Sequence, residues 1–226
     1  MSKDIIQRLK SFMTEDRFKL FNNILDKRTN YITVGIEEIY QSHNASAVLR
    51  SCDCFGIQSV HVIEAENKFK PNPEVAMGAS KWLSINQHAQ ENALETAINK
   101  LKKENYRIVA TTPHTNDTEL EAFDLEKGPV ALLFGTEMRG LTQKAIDMAD
   151  EHLKIPMYGF TESFNISVSV AIILHHLRMK LEASDIDWHI SDSEKDALLL
   201  EWMKKSIKKS DAIIEKIEEQ ISKEGK

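Results

Sequence analysis

Between residues 31 and 155 the chain alternates short apolar runs with amphipathic stretches at helical spacing. That alternation predicts strands over 31–36, 59–63, 83–87, 107–111, 130–134 and 152–155, with helices over 44–55, 90–104 and 142–149. In the first helix Ala45, Val48, Leu49 and Cys52 share one face, Asn44 is placed to cap it, and Gly56 ends it, so Arg50 points away from the core. A last helix begins after Asn165, a good N-cap. Its residues Ile166, Val168, Val170, Ala171, Ile172, Ile173, Leu174 and Leu177 are apolar on nearly every side. Such a helix needs cover on several faces, either in the middle of the core or against a second copy of the chain. Ahead of it, Pro156 cannot extend a strand and Gly159 frees the backbone to turn, leaving a polar loop open to a ligand. The pattern predicts an α/β fold, with a mostly parallel sheet, helices on both faces and ligands at the carboxyl ends of the strands.

The two ends read differently. Residues 3–27 form two short helices with apolar stripes Ile5, Ile6, Leu9, Phe12 and Phe18, Phe21, Ile24, Leu25, with Thr14 capping the second. A polar stretch over 184–193 reads as a linker, and 194–221 as one long helix. Three regions follow: an N-terminal helical extension over 1–30, a central domain over 31–182, and a linker with a C-terminal helix over 183–226.

Composition places the 226 residues, 42% hydrophobic and 28% charged, among ordinary globular chains. The charged start MSKDIIQRLK does not fit a signal peptide, and no apolar run is long enough to span a bilayer, so a cytoplasmic protein without membrane contact is expected. Cys52 and Cys54 suit neither a mutual disulfide nor a four-ligand zinc site. The net charge of −6 disfavours indiscriminate nucleic-acid binding, but its distribution is uneven. Residues 1–30 carry Lys3, Arg8, Lys10, Arg17, Lys19, Lys27 and Arg28 against four acids. Lys204, Lys205, Lys208 and Lys209 form a second basic stripe at helical spacing near Trp202, a candidate RNA-binding surface.

Neither the glycine fingerprint of dinucleotide folds nor the phosphate loop of nucleoside-triphosphate folds is present. Polar signals cluster instead at three strand ends. Asn44-Ala45-Ser46-Ala47-Val48-Leu49-Arg50 follows the first strand, Gly135-Thr136-Glu137-Met138-Arg139-Gly140 follows the apolar run 129–134, and Ile155-Pro156-Met157 with Ser163-Phe164-Asn165-Ile166-Ser167 opens the last helix. His43 and the His175-His176 pair read as structural rather than as metal ligands.

In this order, N-x-S-x-x-x-R, G-x-E-x-x-G and I-P-M with S-x-N-x-S resemble the three motifs of the SpoU/TrmH-type RNA 2′-O-ribose methyltransferases, over roughly residues 31–180. Gly78-Ala79-Ser80-Lys81-Trp82 is similar to the same family, and the short flanking helices resemble its tRNA guanosine-18 branch. Phe164 stands where the family often has leucine, and Ser169-Val170 replaces a more alanine-rich pattern. The resemblance implies a C-terminal trefoil knot, which elementary folding rules would not suggest. It implies S-adenosyl-L-methionine as methyl donor, no metal, and a homodimer acting on tRNA. Asn44, Arg50, Glu137, Ser163 and Asn165 carry over as the catalytic set, and Thr111, Gly135, Ile155 and Phe164 as the cofactor cradle. The same chemistry on ribosomal RNA or at another tRNA position is an alternative, and a non-catalytic RNA-binding dimer is another.

Family readings often make the first-motif arginine a general base. Deprotonating arginine at neutral pH would cost about 7–9 kcal/mol, whereas a general base typically returns about 10²–10⁴ in rate. A cationic Arg50 that holds a phosphate and stabilises the developing 2′-oxyanion fits better.

Overall fold

Ile32–Glu37 forms a strand, β1, that is buried at every position, because other strands flank both of its edges and helices cover both faces. It belongs to a computed structural model that describes residues 2–39, 41–64, 76, 78–113, 117–136 and 139–224. After β1 come β2 (Ser59–Ile63), β3 (Ser84–His88), β4 (Arg107–Thr111), β5 (Thr118–Glu119), β6 (Val130–Phe134) and β7 (Glu151–Lys154). Among the described residues these make a seven-stranded sheet in the order β3-β2-β1-β6-β4-β7-β5, parallel at every pairing. Six of them lie where the residue pattern put them, three with the expected bounds and three displaced by one residue. β5 was not foreseen, since two residues show no period.

The chain divides into two compact units, Thr29–Trp188 and a second made of Met1–Arg28 with His189–Lys226. In the first unit the period-two alternation sorts side chains between two cores. Val130, Leu132 and Phe134 of β6 and Ile32, Val34 and Ile36 of β1 join one core with α3 (Ser42–Cys54). Ala131 and Leu133 of β6 and Ile108 and Ala110 of β4 join the other with α4 (Ala93–Lys103) and Ala145 of α5 (Gln143–Met148). The expected face of α3, Ala45, Val48, Leu49 and Cys52, is fully buried and faces the first core.

Two local expectations are corrected. Asn44 does not cap α3: the helix starts at Ser42 with Gln41 in the capping position, and Asn44 sits buried in the first turn. α6 (Ile166–Glu182) runs past residue 177 because Leu181 continues its buried stripe. Its apolar residues do not all find cover in one chain. Ile166, Val170, Ile173, Leu174, Leu177 and Leu181 are buried, whereas Val168 and Met179 are 42% and 52% exposed. The stretch 184–193 is less of a linker than its polarity suggests. Trp188 is buried under the Arg178 guanidinium, 3.8 Å from the ring centre, and its carbonyl accepts from the Thr29 hydroxyl at 2.6 Å.

The second unit is helical. α1 (Ser2–Leu9) and α2 (Glu15–Leu25) pack against α7 (Asp192–Ser206), and α1 also meets α8 (Ser210–Glu224). Leu9, Leu25, Trp202 and Met203 are almost completely buried, and Phe21 meets the Trp202 ring edge-on at 5.7 Å. Thr14 caps α2 as expected, while Phe12 ends up 53% exposed in a 3₁₀ turn. The single helix expected over 194–221 is two. Ile207 is extended and Lys209 left-handed (φ 58°), so the chain breaks between α7 and α8. No helix among the described residues is long and apolar enough to cross a membrane.

Candidate active site

The register of the sheet decides which loops meet. β4, β6 and β7 are neighbours, with Ala110 beside Leu133 and Thr111 beside Leu153, so their carboxyl ends open onto the same edge. Thr111 is held there by its hydroxyl, which donates to the Leu133 carbonyl at 2.7 Å. The next residue's amide, Thr112 N–H, donates to the Leu153 carbonyl at 3.0 Å. The three loops leaving these ends surround a cleft of about 280 Å³.

One wall of the cleft is the loop after β6. Thr136 and Gly140 exchange two backbone hydrogen bonds of 2.9 Å, folding the chain back on itself directly after Gly135. A side chain at residue 135 would lie 2.0–2.1 Å from the Gly140 backbone, so only glycine allows that approach, and Gly140 itself has φ +67°. The far end of the loop is tied to β1: the buried Glu37 carboxylate accepts from the Thr142 amide at 2.8 Å and its hydroxyl at 2.6 Å. Thr142 also caps α5 through the Ala145 amide. Residue pattern gave no sign of this clamp, whose partners stand 105 positions apart.

The opposite wall is the loop between β7 and α6. Asn165 caps α6 as expected, its Oδ1 accepting from the Ser167 amide at 2.9 Å and the Ser167 hydroxyl at 2.6 Å. Its Nδ2 donates to Asn44 Oδ1 at 3.3 Å, and Asn44 in turn donates to Gln41 Oε1 at 3.1 Å. The first turn of α3 and the start of α6 are thereby joined through two of the expected catalytic residues.

Of the expected residues, Thr111, Gly135, Ile155, Ser163 and Phe164 all line this cleft, and Asn44 and Asn165 meet as a pair. Arg50 is exposed on α3 and is not part of the cleft lining within one chain. Glu137 lies outside the described residues. Lys204, Lys205, Lys208 and Lys209 are all exposed, but the break after α7 divides them, so they do not form one helical stripe; Lys205 pairs with Glu201. Thr112, Arg139 and Glu162 also line the cleft and were not singled out. Thr112 follows the carboxyl end of a parallel strand, a position that could have marked it.

The lining suits S-adenosylmethionine. Phe134, Leu153, Ile155, Met157, Ile166 and Ile173 offer an apolar bed for a flat base. Thr111, Thr112, Thr136 and Ser163 add hydroxyls, and Glu162 and Arg139 bring one charge of each sign for an amino acid's ammonium and carboxylate. A parallel α/β sheet with a cleft at the ends of neighbouring strands, faced by a paired-asparagine helix start, defines a class of α/β enzymes that bind a nucleotide-like group at the strand ends.

Comparison with known proteins narrows the class. Residues 31–175 match the SpoU rRNA Methylase family. The chain is 40% identical over 211 residues to the tRNA (guanosine(18)-2'-O)-methyltransferase of Borreliella burgdorferi, covering 92% of this chain and 95% of that one. It is 32% identical over 194 residues to the protein of the same name from Thermus thermophilus, covering 85% and 98%. Among solved structures, the A. aeolicus TrmH/SpoU tRNA modifying enzyme superposes with a TM-score of 0.77 at 28% identity, covering 86% of this chain and 98% of that one. The chain belongs to the SpoU methylase family and is a methyltransferase.

Proposed function

We propose that the protein transfers a methyl group from S-adenosylmethionine to a ribose 2′-hydroxyl of tRNA, at guanosine 18 in the D-loop. The observation that carries this reading is the joining of Asn44 and Asn165 beside the cleft, together with relatives that bear that name and are matched over nearly their whole length. The donor supplies, when bound, an electrophilic methyl group on a sulfonium sulfur. What remains for the protein is alignment, and holding two reactants in line is worth up to about 7–11 kcal/mol.

Asn44 and Asn165 fix each other's amide planes, and Ser163 stands at the cleft wall two residues before the cap. Together they orient the ribose. The developing 2′-oxyanion forms near the amino end of α6, whose 17 aligned peptides favour negative charge. Arg50 supplies the cation that grips the nucleotide phosphate, and Glu137 sits in the same catalytic set. The loops around residues 111, 135 and 155–164 hold the donor in a trefoil knot within the 31–182 domain, through Thr111, Gly135, Ile155 and Phe164. The terminal helices, with Lys204, Lys205, Lys208 and Lys209, engage the body of the tRNA in the cytoplasm.

The active form is a homodimer. The exposed side of α6, with Val168 and Met179, and Phe164 just ahead of its cap, each at least 42% exposed, needs a cover, and a second copy provides one. Arg50 then reaches the partner's cleft rather than its own.

Incubating the purified protein with isotopically labelled donor and, separately, tRNA and ribosomal RNA tests the reading. Label is expected in tRNA as 2′-O-methylguanosine at position 18. Label in ribosomal RNA alone would overturn it.

A further inference from the structure

The loop that forms one wall of the cleft carries two aromatic rings that contribute nothing to it. Met157 and Glu162 both line the cleft; between them the chain bulges outward through Tyr158-Gly159-Phe160-Thr161. Tyr158 is 96% exposed and Phe160 109%, the two most exposed large hydrophobic residues in the described chain. A Cβ placed on Gly159 between them would also meet nothing within 4 Å, so a side chain there too would stand in open space. Rings of this size are normally buried, and leaving both in water forgoes a large favourable burial.

Building on the proposed RNA substrate, we propose that Tyr158 and Phe160 are a stacking platform for unpaired RNA bases beside the ribose that is methylated. The bulge lies three to five residues before Ser163 and five to seven before Asn165, so it flanks the place where the sugar must sit. A ribose can enter so confined a site only if its nucleotide leaves the regular stack, and the neighbouring base then loses a stacking partner. Exposed aromatic side chains replace that partner in proteins that bind single-stranded or looped RNA. The rings tolerate any base, because every base has a flat face, so they add affinity while the cleft chooses the sugar.

A second copy of the chain is the competing occupant. The exposed side of α6 already offers it Val168 and Met179 on a rigid helix, with Phe164 just ahead of the cap. Tyr158 and Phe160 lie off that helix, on a loop beside the exposed polar residues Thr161 and Glu162, which suits a wet, stacked interface better than a packed subunit core.

The test uses Tyr158→Ala, Phe160→Ala, the double variant and Tyr158→Trp in the full-length protein. Three quantities are read: the tRNA dissociation constant by fluorescence anisotropy, the S-adenosylmethionine dissociation constant by calorimetry, and the mass in solution by sedimentation. Each alanine is expected to weaken tRNA binding by about 5- to 150-fold. Cofactor affinity and mass should stay at the wild-type values. Tyr158→Trp should restore tRNA affinity, and its additional indole fluorescence over wild type should be quenched by tRNA. Unchanged tRNA affinity in the double variant overturns the platform, as does a change in mass, which would assign the rings to the subunit interface. Wild-type protein that neither binds nor methylates RNA would instead overturn the substrate reading, so the two failures are told apart by the wild-type arm.

Discussion

Asn165 and Asn44, 121 residues apart in the chain, share a hydrogen bond of 3.3 Å that joins the amino end of α6 to the first turn of α3. Asn165 does two jobs with one amide: its oxygen caps α6 through Ser167, and its nitrogen donates to Asn44. These jobs separate chemically. Asn165→Asp keeps the capping oxygen and loses the donor, whereas Asn165→Ala loses both.

Asn165→Asp is therefore expected to retain thermal stability within about 0.5 kcal/mol, and Asn165→Ala to lose about 1 kcal/mol with the cap. Both should lower the rate of methyl transfer by about 10²-fold or more, since each removes alignment worth several kcal/mol. Asn44→Ala should match them in rate. Single-turnover transfer with saturating donor and tRNA, beside thermal melts, checks the separation; Asn165→Asp with a wild-type rate would show that the pair does not align the sugar.

The outline of this fold was legible in the residues, and the interactions that build the site were not. Runs such as Val130–Phe134 announce themselves because a strand between two helical layers is apolar throughout. The buried face of α3 was legible for the same reason, yet its start was misplaced: Gln41 has little capping preference, and nothing local demotes Asn44 to the first turn. No glycine or proline marks the break at Lys209, so one helix was expected where packing makes two. Sequence period carries nothing about Glu37 meeting Thr142 or Asn44 meeting Asn165, since both pairings depend on strand order. The convergence of residues 111, 135, 155, 163 and 164 came from resemblance to a known family, with the sheet register supplying its physical cause afterwards.

Away from the cleft, His61 Nδ1 on β2 and His88 Nε2 on β3 share a hydrogen bond of 3.1 Å between near-parallel rings whose centres are 5.4 Å apart, both buried. Burial, then repulsion from His88 and Lys100, hold His61 down to about 4, and burial with Lys100 lowers His88 as well. Unfolded, both rings would bind protons near the ordinary 6.5, so the unfolded chain gains protons first as the solution is acidified. Stability from this source is complete above pH 6.5 and is lost as pH falls from there toward 4, by roughly 3 kcal/mol for His61. Thermal melts should fall over that window, and His61→Gln should flatten the fall relative to wild type. An equal slope in the variant would place the acid sensitivity elsewhere.

Lys204, Lys205, Lys208 and Lys209 project into solvent around the α7–α8 break, although not as one helical stripe. Changing all four to glutamine is expected to weaken tRNA binding and to lower the slope of log affinity against log salt by about one for each phosphate no longer neutralised. The same substitutions should leave affinity for the methyl donor unchanged. Binding titrations from about 50 to about 300 mM salt, on the order of the range in which counterion release dominates, would expose a surface that does not touch RNA by an unaltered slope.

Arg50 offers the sharpest test of the assembly. It is exposed, absent from the cleft lining of its own chain, and turned about 120° around α3 from Asn44 by the six-position step between them. If it serves the partner's cleft, a site needs Asn165 from one chain and Arg50 from the other. Arg50→Ala and Asn165→Ala homodimers are then each inactive, but a heterodimer of the two contains one whole site. Random re-pairing of equal amounts makes half the dimers mixed, and activity should return to about a quarter of wild type per chain. Were Arg50 to act within its own chain, every site in the mixture would lack one group and no activity would return. Arg50→Lys completes the experiment, because a lysine keeps the charge and loses the planar fork: a rate near wild type would leave only the point charge, and a rate near that of Arg50→Ala would assign a two-pronged grip on the phosphate.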